Sequence, residues 1–184
     1  TRAKTEVYTP AHRKIARETA AQSFVLLKNS FGKSPSGGDL GGPLPLKKSG
    51  TIALVGPLAD NKQNMPGTWA VAARFDDAVS VLQGLKETVG DKVKILHARG
   101  SNLDADSLFE DRAGMFGKSL RRDARIAQQM IDEAVSVANQ SDVVVVAAGE
   151  SAEMSGESSS RSNIEIPQVQ KDLINALLKT GKPV

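Results

Sequence analysis

The sequence predicts an α/β fold in which a mostly parallel sheet is flanked by helices, as in a flavodoxin-like α/β sandwich. Short apolar runs rich in β-branched residues predict buried strands, and the clearest is Val143-Val144-Val145-Val146-Ala147-Ala148. Segments with one apolar helical face alternate with these runs. Because strands that alternate with helices are joined by right-handed crossovers, the strands should be parallel.

The first half of the chain predicts two helices, one strand and a further segment that is either a short strand or buried extended chain. A helix is expected from His12 to about Gln22, followed by a short strand or buried extended segment over residues 23–28. Residues 30–43 are rich in glycine and proline and predict a loop. Residues 51–56 predict a strand, and Asp76 or Asp77 can cap a helix that runs to Val89 and stops at Gly90.

The second half continues the alternation. Strands are expected over residues 92–98 and 143–148, and a helix from Asp123 to Asn139, whereas residues 99–122 give no clear assignment. Pro167 suits the first turn of a last helix. The apolar stripe of that helix is Leu173, Ile174, Leu177 and Leu178. Residues 182–184 predict the start of a further strand. We therefore expect an interdomain linker at residues 1–12 and the sandwich domain at residues 13–184, truncated at its C-terminus.

Composition limits the possible functions. The 184 residues are 40% apolar and 24% charged, as in an ordinary globular domain. Without cysteine there is no disulfide framework or thiol catalysis, and two histidines alone make no histidine-rich metal site, so no metal or cofactor is expected. A net charge of +3 and 4% aromatic residues argue against nucleic acid as a partner. No apolar run reaches transmembrane length, so no membrane partner is expected.

Two loops carry the candidate chemistry. Residues 149–161 leave the carboxyl end of the 143–148 strand with three glutamates, several hydroxyls and Arg161. Open α/β sheets bind their ligands at that edge, although a solvated charged loop is the simpler alternative. Trp69 lies in a turn-rich loop after the 51–56 strand. A core position and a ligand platform are equally compatible with a lone tryptophan, and its place at the same sheet edge favours stacking on a pyranose ring.

Three other motifs are incomplete. Gly32-Lys33-Ser34 and Gly117-Lys118-Ser119 end like a phosphate-binding loop but lack the glycine five positions earlier. No G-x-G-x-x-G follows a predicted strand. Residues 149–153 begin like a nucleophile elbow but lack its second glycine. The sequence therefore predicts neither a nucleotide site nor a serine hydrolase.

Several motifs in order resemble the second domain of family 3 glycoside hydrolases. They are Ser23-Phe24-Val25-Leu26-Leu27-Lys28-Asn29, Ile52-Ala53-Leu54-Val55-Gly56-Pro57, Gly67-Thr68-Trp69, Ser141-Asp142-Val143-Val144-Val145, Gly149-Glu150, Glu157 to Arg161, and Ile164-Glu165-Ile166-Pro167-Gln168. The resemblance covers nearly the whole chain except residues 30–43 and 99–122. It is strongest to the bacterial β-glucosidases of periplasmic type.

The resemblance implies a retaining β-glycosidase, located in the periplasm or secreted. A barrel domain of the same full-length protein would carry the aspartate nucleophile, and this domain would contribute the acid/base glutamate. The substrate would be a β-linked gluco-oligosaccharide. Glu157 is the position that the resemblance assigns, with Glu153 as the alternative. Glu150 is expected to hold the loop by hydrogen bonding and Arg161 to orient a carboxylate. Ser160 stands where many relatives have aspartate, which leaves the local hydrogen-bond partner open.

The chemistry implied for the domain requires a neighbour. Retaining hydrolysis uses two carboxyl groups about 5–5.5 Å apart, and the acid must keep its proton near neutral pH. Burial or a nearby carboxylate raises a pKa in this way, whereas an exposed loop glutamate ionises well below neutrality. We therefore expect the chain alone to be inactive. The alternatives are a non-catalytic sugar-binding module and a module that only stabilises the barrel.

Overall fold

The computed structural model describes residues 9–32, 35–36, 41–70, 73–112, 121–156 and 159–184. The chain divides into two compact units, Thr1–Leu44 and Pro45–Val184. Most of the predicted linker, residues 1–8, lies outside the described residues. The linker therefore stays a prediction.

The first unit contains the predicted N-terminal helix. Helix α1 spans Pro10–Ser23, and the side chain of Thr9 caps it by accepting a hydrogen bond from the backbone nitrogen of His12 at 3.2 Å. Pro10 occupies the first turn, where its missing N–H leaves no hydrogen bond unmade. The side chain of Asn29 closes the loop that follows, because it bonds both the nitrogen and the carbonyl oxygen of Leu44.

The strand or buried segment expected over residues 23–28 is wrong. Ser23 ends α1, and residues 24–28 form neither helix nor strand. Phe24 is 82% exposed and Leu27 is 91% exposed. A strand needs a neighbouring strand for its hydrogen bonds, and the described part of this unit contains no other strand.

The second unit contains the sheet, and it confirms the predicted fold class. Strands β1 (Gly50–Val55), β2 (Val93–Ala98) and β3 (Val143–Val146) are all parallel, in the order β2-β1-β3. Leu54 of β1 lies opposite His97 of β2 and Val145 of β3. The strand that comes first in the sequence is therefore the central one.

Helices cover both faces of the sheet. Helix α2 spans Val81–Val89, α3 Ser107–Arg112, α4 Ala127–Asn139 and α5 Gln168–Leu178. Because successive residues of a strand point to opposite faces, β1 serves two cores. On one face its residues pack with α4 and α5 in a buried cluster of Ala53, Val55, Ala98, Ala134, Ala138, Val144, Leu173 and Leu177. On the other face Leu54 packs with Ala59 and with Leu82 of α2.

The start of α2 differs from the prediction. Asp76 and Asp77 lie in a separate 3₁₀ turn, Phe75–Asp77, and Ser80 is the N-cap. The Ser80 hydroxyl accepts from the backbone nitrogen of Gln83 at 3.1 Å and donates to Oδ1 of Asp60 at 2.8 Å. A buried serine that makes both bonds caps the helix better than an aspartate one turn too early.

Two further boundaries differ from the prediction. Helix α4 begins at Ala127, because Asp123 is engaged upstream: its backbone nitrogen donates to the side chain of Asn102, and its carboxylate binds Arg125. Near the last residue, the backbone nitrogen of Val144 donates to the carbonyl oxygen of Pro183 at 2.9 Å. Residues 182–184 thus lie beside β3, although they are not a strand.

Candidate active-site edge

The carboxyl ends of the three parallel strands meet at one edge of the sheet. The segments that leave this edge begin at Gly56 after β1, at Arg99 after β2 and at Ala147 after β3. Both loops singled out in the sequence start here, so the topology gathers the candidate residues as open α/β sheets gather their ligand-binding loops.

The loop after β3 is anchored at its start. The backbone nitrogen of Gly149 donates to Oε1 of Gln170 at 2.8 Å, and Nε2 of Gln170 donates back to the Gly149 carbonyl at 2.9 Å. A short 3₁₀ turn follows at Ala152–Met154, and both of its end residues are buried. The first half of this loop is therefore packed against the domain.

The loops after β1 and β3 contact each other directly. The backbone nitrogen of Ala152 donates to Oδ1 of Asn64 at 2.7 Å. Gly156 has φ +124°, and a Cβ on it would lie 2.9 Å from Oγ1 of Thr68. Thr68 directly precedes Trp69, whose side chain is 70% exposed. The residue before Glu157 is thus in contact with the residue before the tryptophan.

The two residues expected to support the loop contact each other. Nη1 of Arg161 forms an ion pair with Oε1 of Glu150, and Nη2 of Arg161 donates to the carbonyl oxygen of Glu165 at 2.9 Å. Both side chains are partly exposed, so the pair contributes more to the shape of the loop than to stability. Their roles in catalysis stay predictions.

The structure does not test the two candidate acid/base residues. Glu157 lies outside the described residues, and only the backbone of Glu153 is described, as the middle residue of the 3₁₀ turn. The preference for Glu157 over Glu153 therefore still rests on the sequence.

A polar cavity of about 350 Å³ opens beside β1 and β2. Its lining residues are Gly56, Pro57, Asp60, Asn61, Gln63, His97, Arg99 and Arg121. Desolvation lowers the pKa of His97, and the negative charge of Asp60 partly opposes this shift. The imidazole is therefore neutral at neutral pH, where it can both donate and accept hydrogen bonds. Among the predicted site residues whose side chains the structure describes, Trp69, Glu150 and Arg161 do not line this cavity.

Sequence reasoning missed Gln170. Glutamine at the start of a helix is normally a surface residue, but Gln170 is fully buried. The signal was its spacing, since it lies three residues before Leu173 and seven before Leu177, on the buried stripe of α5.

Among the described residues, no group of three or more His, Cys, Asp or Glu side chains is arranged to hold a metal ion. The helices formed by those residues include none with the length and apolar character needed to cross a membrane.

Comparison with known protein families decides the class. The family model described as the glycosyl hydrolase family 3 C-terminal domain matches residues 24–184. The chain belongs to this family. The β-glucosidase and β-xylosidase relatives of this family 3 domain are glycoside hydrolases, which confirms the resemblance inferred from the sequence.

Individual relatives of this family 3 domain are consistent with the family assignment. It is 49% identical over 173 residues to a periplasmic β-glucosidase of Salmonella typhimurium, covering 94% of this chain and 21% of the relative. It is 33% identical over 183 residues to a β-xylosidase of Formosa agariphila, covering 97% and 21%. A crystal structure of the β-glucosidase of Listeria innocua in complex with glucose superposes with a TM-score of 0.70 at 29% identity, covering 98% of this chain and 20% of that one. The family 3 domain thus spans about a fifth of the length of these relatives.

Proposed function

We propose that this domain supplies the acid/base half of a retaining β-glucosidase that releases terminal β-D-glucosyl residues. The observation that carries the proposal is the contact between the two loops of the active-site edge, because Gly156 and Thr68 meet one residue before Glu157 and Trp69. An acid and a sugar platform need this proximity, since the acid must reach the glycosidic oxygen of a sugar held on the indole.

The proposed mechanism divides the two carboxyl groups between two domains. The aspartate nucleophile comes from a barrel domain of the same full-length protein and attacks the anomeric carbon. Glu157 donates its proton to the departing oxygen, so that the leaving group departs as an alcohol. The resulting carboxylate then takes a proton from the water that hydrolyses the glycosyl–enzyme ester, which restores the acid. No cofactor takes part.

Several observations support glucosides as the substrate. The relative at 49% identity is a β-glucosidase, and the Listeria innocua enzyme was crystallised with glucose. A β-xylosidase at 33% identity makes xylosides the nearest alternative. The periplasmic relative also supports a location in the periplasm or outside the cell.

The test is Glu157→Gln in the full-length protein. The amide cannot donate an acidic proton, so kcat/KM for phenyl β-glucoside should fall about 10²–10⁴-fold. Glu153→Gln is the matched control in the same loop and should retain activity within about threefold of the parent enzyme. A Glu157 variant with unchanged turnover would refute the assignment, and a large loss for Glu153 alone would transfer the role to that residue.

A second variant separates a sugar platform from a module that only stabilises the barrel. Trp69 is 70% exposed, as a residue that stacks on a sugar must be before the sugar binds. Trp69→Ala in the full-length protein should raise KM for disaccharides about 5–100-fold, the equivalent of about 1–3 kcal/mol of lost stacking and burial, with little change in thermal stability. A lower melting temperature with an unchanged KM would instead favour the stabilising module.

A further inference from the structure

One buried amide joins the loops that leave β2 and β3. Gln170 lies in the first turn of α5 and is 0% exposed. Its Nε2 donates to the carbonyl oxygens of Gly149 at 2.9 Å and Leu103 at 2.8 Å, and its Oε1 accepts from the Gly149 nitrogen at 2.8 Å. Both amide hydrogens and the amide oxygen are therefore used, as a buried polar group requires.

The position of Gln170 is itself fixed by packing and by its partners. Leu173 and Leu177, on the same face of α5, are fully buried. The Leu103 segment is also held by a second side chain, because Oε1 of the buried Glu110 accepts from the nitrogens of Leu103 at 2.6 Å and of Asp104 at 3.0 Å. The amide thus extends from a rigid helix to a rigid segment.

Gly149 is the first residue of the 149–161 loop and lies three residues beyond Val146, the end of β3. Its φ is +142°, a backbone conformation that favours glycine. A single side chain binds both its N–H and its C=O, so the orientation of this residue is set by Gln170. Because Glu157 lies eight residues further along the same loop, a small rotation at Gly149 displaces it, and a misplacement of about 1 Å can reduce a rate about 10²-fold.

We infer that Gln170 is a positioning residue that aims the 149–161 loop, and with it the acid Glu157, at the glycosidic oxygen. This inference rests on the proposed function. Gln170 does not touch the substrate. It acts through the backbone of Gly149.

The test compares two aryl glucosides in the full-length enzyme. Phenyl β-glucoside needs its leaving group protonated, whereas the 2,4-dinitrophenyl leaving group departs as a stable anion without acid help. The informative quantity is kcat/KM, because it reports the step in which the aryl group leaves. Gln170→Met keeps the size of the side chain and removes all three hydrogen bonds. It should lower kcat/KM about 10–100-fold for the phenyl glucoside and less than about threefold for the dinitrophenyl glucoside.

Controls distinguish positioning from folding. Gln168→Met is the matched control two residues away on the same helix, at an exposed position where Nε2 of Gln168 donates to Oδ1 of Asp172. It should change neither kcat/KM value. If Gln170→Met does not fold, Gln170→Asn carries the test, since it keeps the amide but is one methylene too short to reach both loops. It should shift the ratio of the two kcat/KM values in the same direction.

Each outcome is decisive. If the Gln170 variant lowers kcat/KM by the same factor for both glucosides, Gln170 only supports the fold. That result would overturn the inference and leave the role of Glu157 intact. If Glu157→Gln itself shows no selective loss on the phenyl glucoside, the proposed function fails, and the inference fails with it.

Discussion

Gly56, the residue directly after β1, allows the three strand ends to come together. Its φ is +122°, and its nitrogen donates to the carbonyl oxygen of Ala98 at the end of β2. A Cβ on Gly56 would lie 2.2 Å from the carbonyl oxygen of Ala147, just beyond β3. A backbone atom cannot move aside as a flexible side chain can, so the absence of a side chain here allows the loops after β1 and β3 to start side by side.

Gly56→Ala should therefore destabilise the domain strongly. The backbone conformation is strained for any L-residue and the new methyl group overlaps the Ala147 carbonyl, so we expect a loss of about 2–4 kcal/mol. The measurement is the free energy of unfolding of the full-length protein by urea. The control is Gly181→Ala, where φ is +72° but no atom lies within 4 Å of the new Cβ, and the loss should be about 1 kcal/mol. Equal losses at the two positions would contradict the steric argument.

At the scale of the secondary-structure element, the segment before α4 is organised by one ion pair. The Asp123 carboxylate accepts hydrogen bonds from the side chain of Arg125 and from its backbone nitrogen. Arg125 also pairs with Glu133 inside the helix, with Nη1 and Oε2 2.9 Å apart. The side-chain hydrogen bonds from Arg125, followed by its backbone N–H, lower the pKa of Asp123 to about 2.

The pH dependence follows from the sign of that shift. Because the folded-state pKa of Asp123 lies below the unfolded value of 3.8, the stabilisation is complete above about pH 4 and is lost as the pH falls towards 2. Asp123→Asn should therefore lower stability at pH 6 by less than about 1 kcal/mol, since the pair is partly exposed, and the loss should shrink as the pH falls through 2. Urea unfolding at several pH values checks this. Arg125→Met should lower stability at pH 6 at least as much, because it also removes the ion pair with Glu133. A loss for Asp123→Asn that grows towards low pH would contradict the assignment.

At the scale of the whole molecule, sequence patterns predicted what depends on burial and periodicity. The β-branched runs located β1 and β3, and the apolar stripe of α5 predicted buried Leu173 and Leu177. Patterns failed where a distant partner decides the outcome. Ser80 caps α2 partly through Asp60, twenty residues earlier, and the apolar segment after α1 has no strand to pair with among the described residues of its unit.

In the candidate site, too, local patterns predicted some features, and features that depend on distant partners were missed. Local sequence placed Trp69 and the glutamate loop at one sheet edge, and the parallel topology accounts for that prediction. Gln170 could not be found by residue type, because its burial depends on two carbonyl groups supplied by loops 21 and 67 residues away. Hydrogen-bond partners at that separation leave little trace in a single sequence.

The isolated domain should have no glycosidase activity. The chain spans about a fifth of its relatives, and the proposed mechanism takes its nucleophile from the barrel domain. We expect the purified 184-residue chain to release no measurable phenol from phenyl β-glucoside under conditions in which the full-length protein turns over. Turnover by the chain alone, abolished by Glu157→Gln, would show that the nucleophile lies within these residues.

The strand order has a consequence for biosynthesis. β1 is the central strand but the first to be made, and it pairs with β3 only after about ninety further residues have been added. At roughly 5–20 residues per second, the ribosome exposes the apolar sequence Ile52-Ala53-Leu54-Val55 for at least about four seconds before both neighbours exist. During that interval at least one edge of this hydrophobic strand has no partner, which makes the strand a suitable ligand for a chaperone.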